Sequence, residues 1–184
     1  SDTVCRPYDQ HRKGINLGEA AAAIALRKVD DPEPGVILVK GGASTNDANH
    51  LSGPSRTGEE LAMAVSSSIR KSGLTPEQID FISAHGTATL YNDEMESKAF
   101  EQAGLSKVPL HSLKSRFGHT LGAAGVLESV VLLQSMSRSL IFPTFGFESM
   151  GVSGKINVCR QLTTTSLQHT LKTGSGFGGC NAAI

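Results

Sequence analysis

Charge of either sign is nowhere in excess in this 184-residue chain: seventeen Lys and Arg stand against seventeen Asp and Glu, a formal net charge of zero. No basic run breaks that balance, so a nucleic-acid or anionic-membrane surface is excluded as an organising feature. No nucleic acid and no membrane are expected as partners. Long apolar runs are also missing. Those present are too short or too interrupted to span a bilayer, and the polar opening SDTVCRPYDQ lacks the charged and apolar regions of a secretory leader. A cytoplasmic protein is expected. Cysteine is scarce: Cys5, Cys159 and Cys180 are an odd number without a CxxC pair, which argues against a disulfide framework and against a zinc site. Reduced thiols and no metal are the expectation. No internal repeat is visible, and 184 residues suit one domain with its own core.

What is present is an alternation of strand and helix signals. Residues 17–29, LGEAAAAIALRKV, are small and aliphatic and suit a buried strand or a helix, which periodicity alone does not separate. The turn DPEPG at 31–35 leads into a β-rich run at 36–40, read as a strand ended by Gly41 and Gly42. Thr57 and Glu60 form a capping-box pattern, Leu61, Val65 and Ile69 share one helical face, and Gly73 stands just past its end. Thr75 to Gln78 predicts a short helical turn, residues 79–84 a buried strand, and Asn92 the cap of a further helix that stops at Gly104. The stretch 122–136, GAAGVLESVVLLQSM, is apolar on nearly every side and predicts a helix with neighbours all round it. Strands are expected at 155–158, 169–172 and 180–184, with 174–179, GSGFGG, as a mobile loop. Because the last strands follow one another without helices, the pattern implies a layered α/β domain with a mixed sheet.

Two histidines and a lysine stand where such folds gather ligand sites. His85 follows the strand at 79–84 and opens HGTAT, which places it at a strand's carboxyl end. Taken alone, it is as readily a surface or core histidine with a satisfied ring. Lys114 and His119, in SLKSRFGHTLGAAG, precede the apolar helix and are aimed at its cap region, although a solvated lysine and an ordinary capping histidine fit that position as well.

Four segments, CRPYDQHRKGINLGEAAA, HGTATLYNDE, LKSRFGHTLGAAG and GFGGCN, resemble in this order the signatures of condensing enzymes of the thiolase superfamily. The chain is similar to the C-terminal half of a β-ketoacyl-acyl-carrier-protein synthase from Cys5 to its last residue. That resemblance implies one half of the αβαβα thiolase-like sandwich over residues 1–184, with the 122–136 helix in the buried layer. It implies that His85 and His119 donate from their rings to a thioester carbonyl and that Lys114 positions and polarises His119. Thr87 and Thr89 resemble threonines that hydrogen-bond a pantetheine arm. Phe177, beside Gly178, resembles the gating aromatic of an acyl pocket, and Asp93 and Glu128 match acidic positions that support the site without taking part in the chemistry. No resident cofactor is implied, since phosphopantetheine arrives on an acyl carrier protein.

The chemistry suits such a set, because decarboxylation of a malonyl thioester leaves an enolate whose oxygen needs preorganised donors, each worth about 2.7–4 kcal/mol. A cationic Lys114 would help keep the rings neutral. The family's nucleophilic cysteine has no counterpart. Cys5 lies in the CRPYD signature, Cys159 follows a predicted strand, and Cys180 stands where the family usually has a small hydroxyl residue. Leu90 and Ser175 depart from a usual proline and a frequent aromatic, which bears on acyl preference. The first reading is therefore the C-terminal half of a decarboxylative condensing enzyme, a homodimer or heterodimer that needs an N-terminal half or a partner subunit and is inactive alone. The second is a non-catalytic subunit like a chain-length factor. The third is a decarboxylase or hydrolase without cysteine.

Overall fold

The computed structural model describes residues 4–184, so the first three residues of the polar opening lie outside the described residues. In chain order the elements are β1 (Ala43–Asn46), α1 (Glu59–Lys71), a 3₁₀ turn (Pro76–Gln78), β2 (Phe81–Ser83), α2 (Leu90–Gln102), β3 (Pro109–His111) and α3 (Lys114–Phe117). They continue with a second 3₁₀ turn (Leu121–Ala123), α4 (Ala124–Arg138), β4 (Leu140–Ile141), β5 (Asn157–Val158), β6 (Thr163–Thr164), β7 (Thr170–Gly176) and β8 (Cys180–Ala183). Six strands make one mixed sheet in the order β1-β8-β7-β2-β3-β5, and β4 pairs with β6 apart from it. The β7, β2, β3 and β5 neighbours are parallel, while β8 and β1 run antiparallel at one edge.

Alternation along the strands divides the core between the two faces of the sheet. Ile82, Leu110 and Leu171 join Leu61, Val65 and Ile69 of α1 and Met95 and Phe100 of α2 on one face. Phe81 turns the other way, onto Leu132 of α4 with Ile141 and Leu167. Burying Leu61, Val65 and Ile69 favours the fold by about 1.5–3 kcal/mol per side chain. Glu59 and Glu60 in the first turn of α1 and Arg70 and Lys71 in its last complement the helix dipole.

Local capping gives way where packing demands it. The Thr57–Glu60 capping box does not form; the cap is Gly58, at φ 78°. A Cβ at Gly58 would come within 2.5 Å of the Met95 carbonyl oxygen, so the close crossing of α1 and α2 requires glycine there. Thr75 and Gln78 do pair, the Thr75 N–H donating to Gln78 Oε1 at 2.9 Å. The next helix begins at Leu90 with Thr89 as its cap, ahead of the predicted Asn92, because the loop before it is held by Asp93.

Four further expectations are corrected. Residues 17–29 form neither strand nor helix; only Leu17 makes a bridge, to His119. Half-buried Ala22 and Ile24 alternate with exposed neighbours, an extended pattern for which the described residues supply no ladder partner. The run at 36–40 is also outside regular structure, and the strand begins at Ala43, where β8 lies alongside. Gly174 to Gly176 belong to β7, leaving Phe177 to Gly179 as a hairpin turn pinned by the Gly178 N–H on the Leu51 carbonyl at 2.7 Å. The apolar α4 buries a single stripe, Ala124, Glu128, Leu132 and Ser135, and leaves Val126 exposed; it is not surrounded. A cleft of about 700 Å³ runs between this side of α4, β7 and the segment around 22–41. No helix among the described residues is long and apolar enough to cross a membrane.

Candidate active site

Parallel pairing of β2 with β3, Ile82 beside Leu110 and Ser83 beside His111, brings the carboxyl ends of both strands to one edge. His85 leaves the first strand there, and Ser112, Leu113 and Lys114 leave the second. Gly86 is drawn tightly against Ser112: its φ is +41° and a Cβ would meet Ser112 Cβ at 2.5 Å. The Ser112 hydroxyl donates to the Gly86 carbonyl at 2.6 Å, which ties the two loops together. His119 is held from a third direction, its N–H donating to the Asn16 carbonyl at 2.7 Å and its carbonyl accepting from Gly18 at 3.0 Å.

The two histidine rings meet edge to face with centroids 5.3 Å apart. His119 Nδ1 accepts the Leu121 N–H at 3.2 Å, and His85 Nδ1 faces Lys114 Nζ at 3.3 Å. With both Nδ1 atoms occupied as acceptors, the neutral rings carry their protons on Nε2. Burial lowers the pKa of His85 well below the usual 6.5, and Lys114, Lys172 and His119 push it the same way. Burial and then Lys114 lower that of His119, against an opposing pull from Glu128. The arrangement is thus a pair of uncharged N–H donors.

Lys114 does not take the place expected of it. Its ammonium donates to the His85 carbonyl at 2.6 Å and to Glu128 Oε1 at 2.7 Å, and makes no hydrogen bond to His119 among the described residues. It orients His85 and reaches His119 only through its charge. Burial lowers the pKa of Lys114, Glu128 raises it, and Lys172 lowers it. Burial alone would raise the Glu128 carboxyl, but Lys172 and Lys114 outweigh it and hold it below the ordinary range.

Asp93 and Glu96 support the histidine loop from α2. Asp93 accepts the N–H groups of Tyr8 at 2.8 Å and Thr87 at 2.9 Å, and burial pushes its pKa up to about 6 despite them. Glu96, which the sequence reading missed, accepts from the His85 and Gly86 N–H groups at 2.8 Å each, from Tyr8 Oη at 2.6 Å and from Thr173 Oγ1 at 2.8 Å. The available signal was a carboxylate three residues after Asp93, on the same inner face as Met95, Ala99 and Phe100. Thr87 and Thr89 share a hydroxyl–hydroxyl bond of 2.8 Å beside the cluster. Phe177 stands 80% exposed at the β7–β8 turn with Gly178. Cys5 and Cys159 have thiols pushed by burial up to about 11, and Cys180 is exposed; all three are free. Among the described residues no group of three or more His, Cys, Asp or Glu could hold a metal ion.

Buried His111, next to this cluster, donates or accepts at Nδ1 against the Phe142 carbonyl at 3.0 Å, and burial brings its pKa down from 6.5 to about 4. A base depressed in the fold is protonated first in the unfolded chain. Its stabilisation is therefore full above pH 6.5 and is lost as the pH falls toward 4. Asp93, raised from 3.8 to about 6, acts in the opposite sense, favouring the fold as the pH drops through its value. His111→Asn, which keeps a group for the Phe142 carbonyl but does not titrate, is expected to flatten the acid loss of stability. Urea midpoints at several pH values between neutrality and acid check this; an unchanged slope would rule it out.

Residues 36–148 match the family profile described as "Beta-ketoacyl synthase, C-terminal domain". The chain belongs to the β-ketoacyl synthase family. It is 33% identical over 97% of its length to 3-oxoacyl-[acyl-carrier-protein] synthase 2 of Vibrio cholerae, of which it covers 46%. Among solved structures it resembles a ketosynthase of Xenorhabdus doucetiae in complex with its chain length factor, with a TM-score of 0.80 and 30% identity, covering all of this chain and 46% of that one. It also resembles a type II polyketide ketosynthase structure determined with its acyl-carrier protein, at a TM-score of 0.71 and 30% identity over 79% of this chain and 37% of that one. The fold is accordingly thiolase-like, and this ketosynthase domain spans less than half the length of the relatives it matches.

Proposed function

We propose that the chain is the C-terminal half of a 3-oxoacyl-[acyl-carrier-protein] synthase, catalysing decarboxylative Claisen condensation once a half bearing the nucleophilic cysteine is in place. The observation that carries this reading is the pair of neutral rings at 5.3 Å, each with Nδ1 occupied. A malonyl thioester seated against them loses carbon dioxide, and the electrons of the breaking C–C bond become an enolate. Its oxygen accepts from Nε2–H of His85 and His119, donors already oriented before charge develops. The enolate carbon then attacks the acyl group on the cysteine of the other half, the new C–C bond forms, and the thiolate departs. No proton is required from either ring, which suits groups whose pKa values are depressed.

Thr87 and Thr89 form the polar lip at which a pantetheine arm would lie, and Phe177 would enter an acyl pocket only with the other half present. An acyl carrier protein is the substrate carrier in this reading, as in the carrier complex above, and the open side of α4 with its cleft is the surface for the other half or a partner subunit. The reading also implies that the chain alone has no condensing activity and requires no bound cofactor or metal.

The test is co-expression of this chain with an N-terminal ketosynthase half, followed by mass spectrometry of carrier-bound products from acyl- and malonyl-carrier thioesters. A 3-oxoacyl product that needs both halves is expected. An assembled pair that binds the carrier but neither decarboxylates nor condenses would overturn the enzymatic reading in favour of a non-catalytic subunit like a chain length factor. Turnover by the chain alone would instead support a decarboxylase without cysteine.

A further inference from the structure

Lys172 is a second buried lysine at the candidate active site, on the strand opposite the histidine loops. It lies on β7 in register with Ser83 of β2, and since Leu171 faces the α1–α2 core, Lys172 is turned toward α4. Its ammonium is 2.7 Å from Glu128 Oε2, while Lys114 takes Oε1 at the same distance. Oε2 makes no directional hydrogen bond, so the contact is an ion pair held by charge. Both lysines are at most 5% exposed, and Glu128 is 3% exposed. One carboxylate is therefore shared by two buried cations, and one of them holds His85.

Resting on the condensing-enzyme reading, we propose that Lys172 is a positioning residue, which anchors the outer oxygen of Glu128 so that Glu128 presents its inner oxygen to Lys114 and keeps Lys114 against His85. Its charge adds to this. Among the described residues, the charges acting on His85 are those of Lys114 of α3, Lys172 of β7 and His119 before the second 3₁₀ turn; Glu128 of α4 pairs with both lysines, Glu96 of α2 accepts the His85 N–H and the Tyr8 hydroxyl, and the charge of Lys172 also reaches His111 of β3. With the carboxylates of Glu128 and Glu96 matched by Lys114 and Lys172, the histidines are left as neutral donors. Without Lys172 the uncompensated carboxylate would favour an imidazolium at His85, and a cationic ring held by Lys114 is no longer the same donor.

The test uses Lys172→Met and Lys172→Arg in two settings. In the assembled ketosynthase, Lys172→Met is expected to move the acid limb of malonyl-carrier decarboxylation upward by about one pH unit, about a tenfold loss on that limb, with KM little changed. Lys172→Arg should keep the wild-type profile. In the full chain alone, an NMR titration of the His85 ring should show protonation at higher pH in Lys172→Met than in wild type, a readout independent of turnover. If the titration moves but no assembly is active, the condensing reading fails while the Lys172 inference stands. An unmoved titration and pH profile, with or without a change in melting temperature, would make Lys172 merely structural and overturn the inference. Should Lys172→Met not fold, Lys172→Gln takes its place with the same two outcomes.

Discussion

His119→Ala in the assembled ketosynthase is expected to lower the rate of malonyl-thioester decarboxylation by about 10²–10³-fold, the usual consequence of removing one preorganised donor to a developing oxyanion. The substitution suits the purpose because His119 is only half-buried, so little packing is lost with the ring. Its one ring contact to the backbone is the Leu121 N–H, which borders exposed residues and can turn to water. Loss of rate with a nearly unchanged KM and melting temperature is the expected pattern, since the donor acts on charge that exists only after the C–C bond has begun to break. A tenfold or smaller effect would mean that His119 does not face the enolate oxygen. His85 makes a poorer probe. Its ring and carbonyl are both bonded to Lys114, so truncation would disturb the lysine and the carboxylate along with the donor.

Glu128→Ala is expected to destabilise the fold by about 3–5 kcal/mol, because it leaves two buried ammonium groups without their shared counter-charge. The Glu96 carboxylate also acts on Lys114, but it already accepts from Tyr8, Thr173 and two backbone N–H groups. The midpoint of urea unfolding measures the effect. A loss near 1 kcal/mol would instead indicate that the lysines neutralise or turn out to water when unpaired, the magnitude of a neutral hydrogen bond. The triple change Glu128→Leu, Lys114→Met and Lys172→Met is expected to recover most of the stability without activity, since an apolar replacement of a buried ion cluster avoids its desolvation cost. Comparison of the two variants separates the cost of an unpaired charge from the net contribution of the cluster.

Much of the architecture was legible where signals were local and mutually consistent. The helix carrying Leu61, Val65 and Ile69 and the strand at Phe81–Ser83 lie where periodicity and punctuation place them, and the strands expected at 155–158, 169–172 and 180–184 coincide with β5, the first part of β7, and β8. The signals that misled were local preferences overruled by neighbours. Thr57 suits a cap by its chemistry, but the approach of Met95 demands Gly58. The valine-rich run at 36–40 has strand propensity, but β8 pairs with Ala43–Asn46. GSGFGG reads as a loop from its glycines, yet half of it completes a ladder with β8. In the same way, the apolar α4 was expected to be enclosed, and in this chain it has the sheet on one side and an open cleft on the other.

By itself the sequence determined the class of the domain, its family resemblance, and the choice of His85, Lys114 and His119 as candidate site residues, because these depend on residue type and on motif spacing along the chain. Only the tertiary structure decided the partners of those residues. Lys114 meets His85 and not His119, Glu128 is divided between Lys114 and Lys172, and Glu96 gathers Tyr8, Thr173 and the histidine loop. These groups are separated by up to 88 positions in the chain. Their contact is set by the register of β7 beside β2 and by the stacking of α2 and α4 on opposite faces of the sheet. No pattern within a local window encodes such pairings. They form because a buried carboxylate or ammonium must find its counterpart wherever the packed layers bring one near.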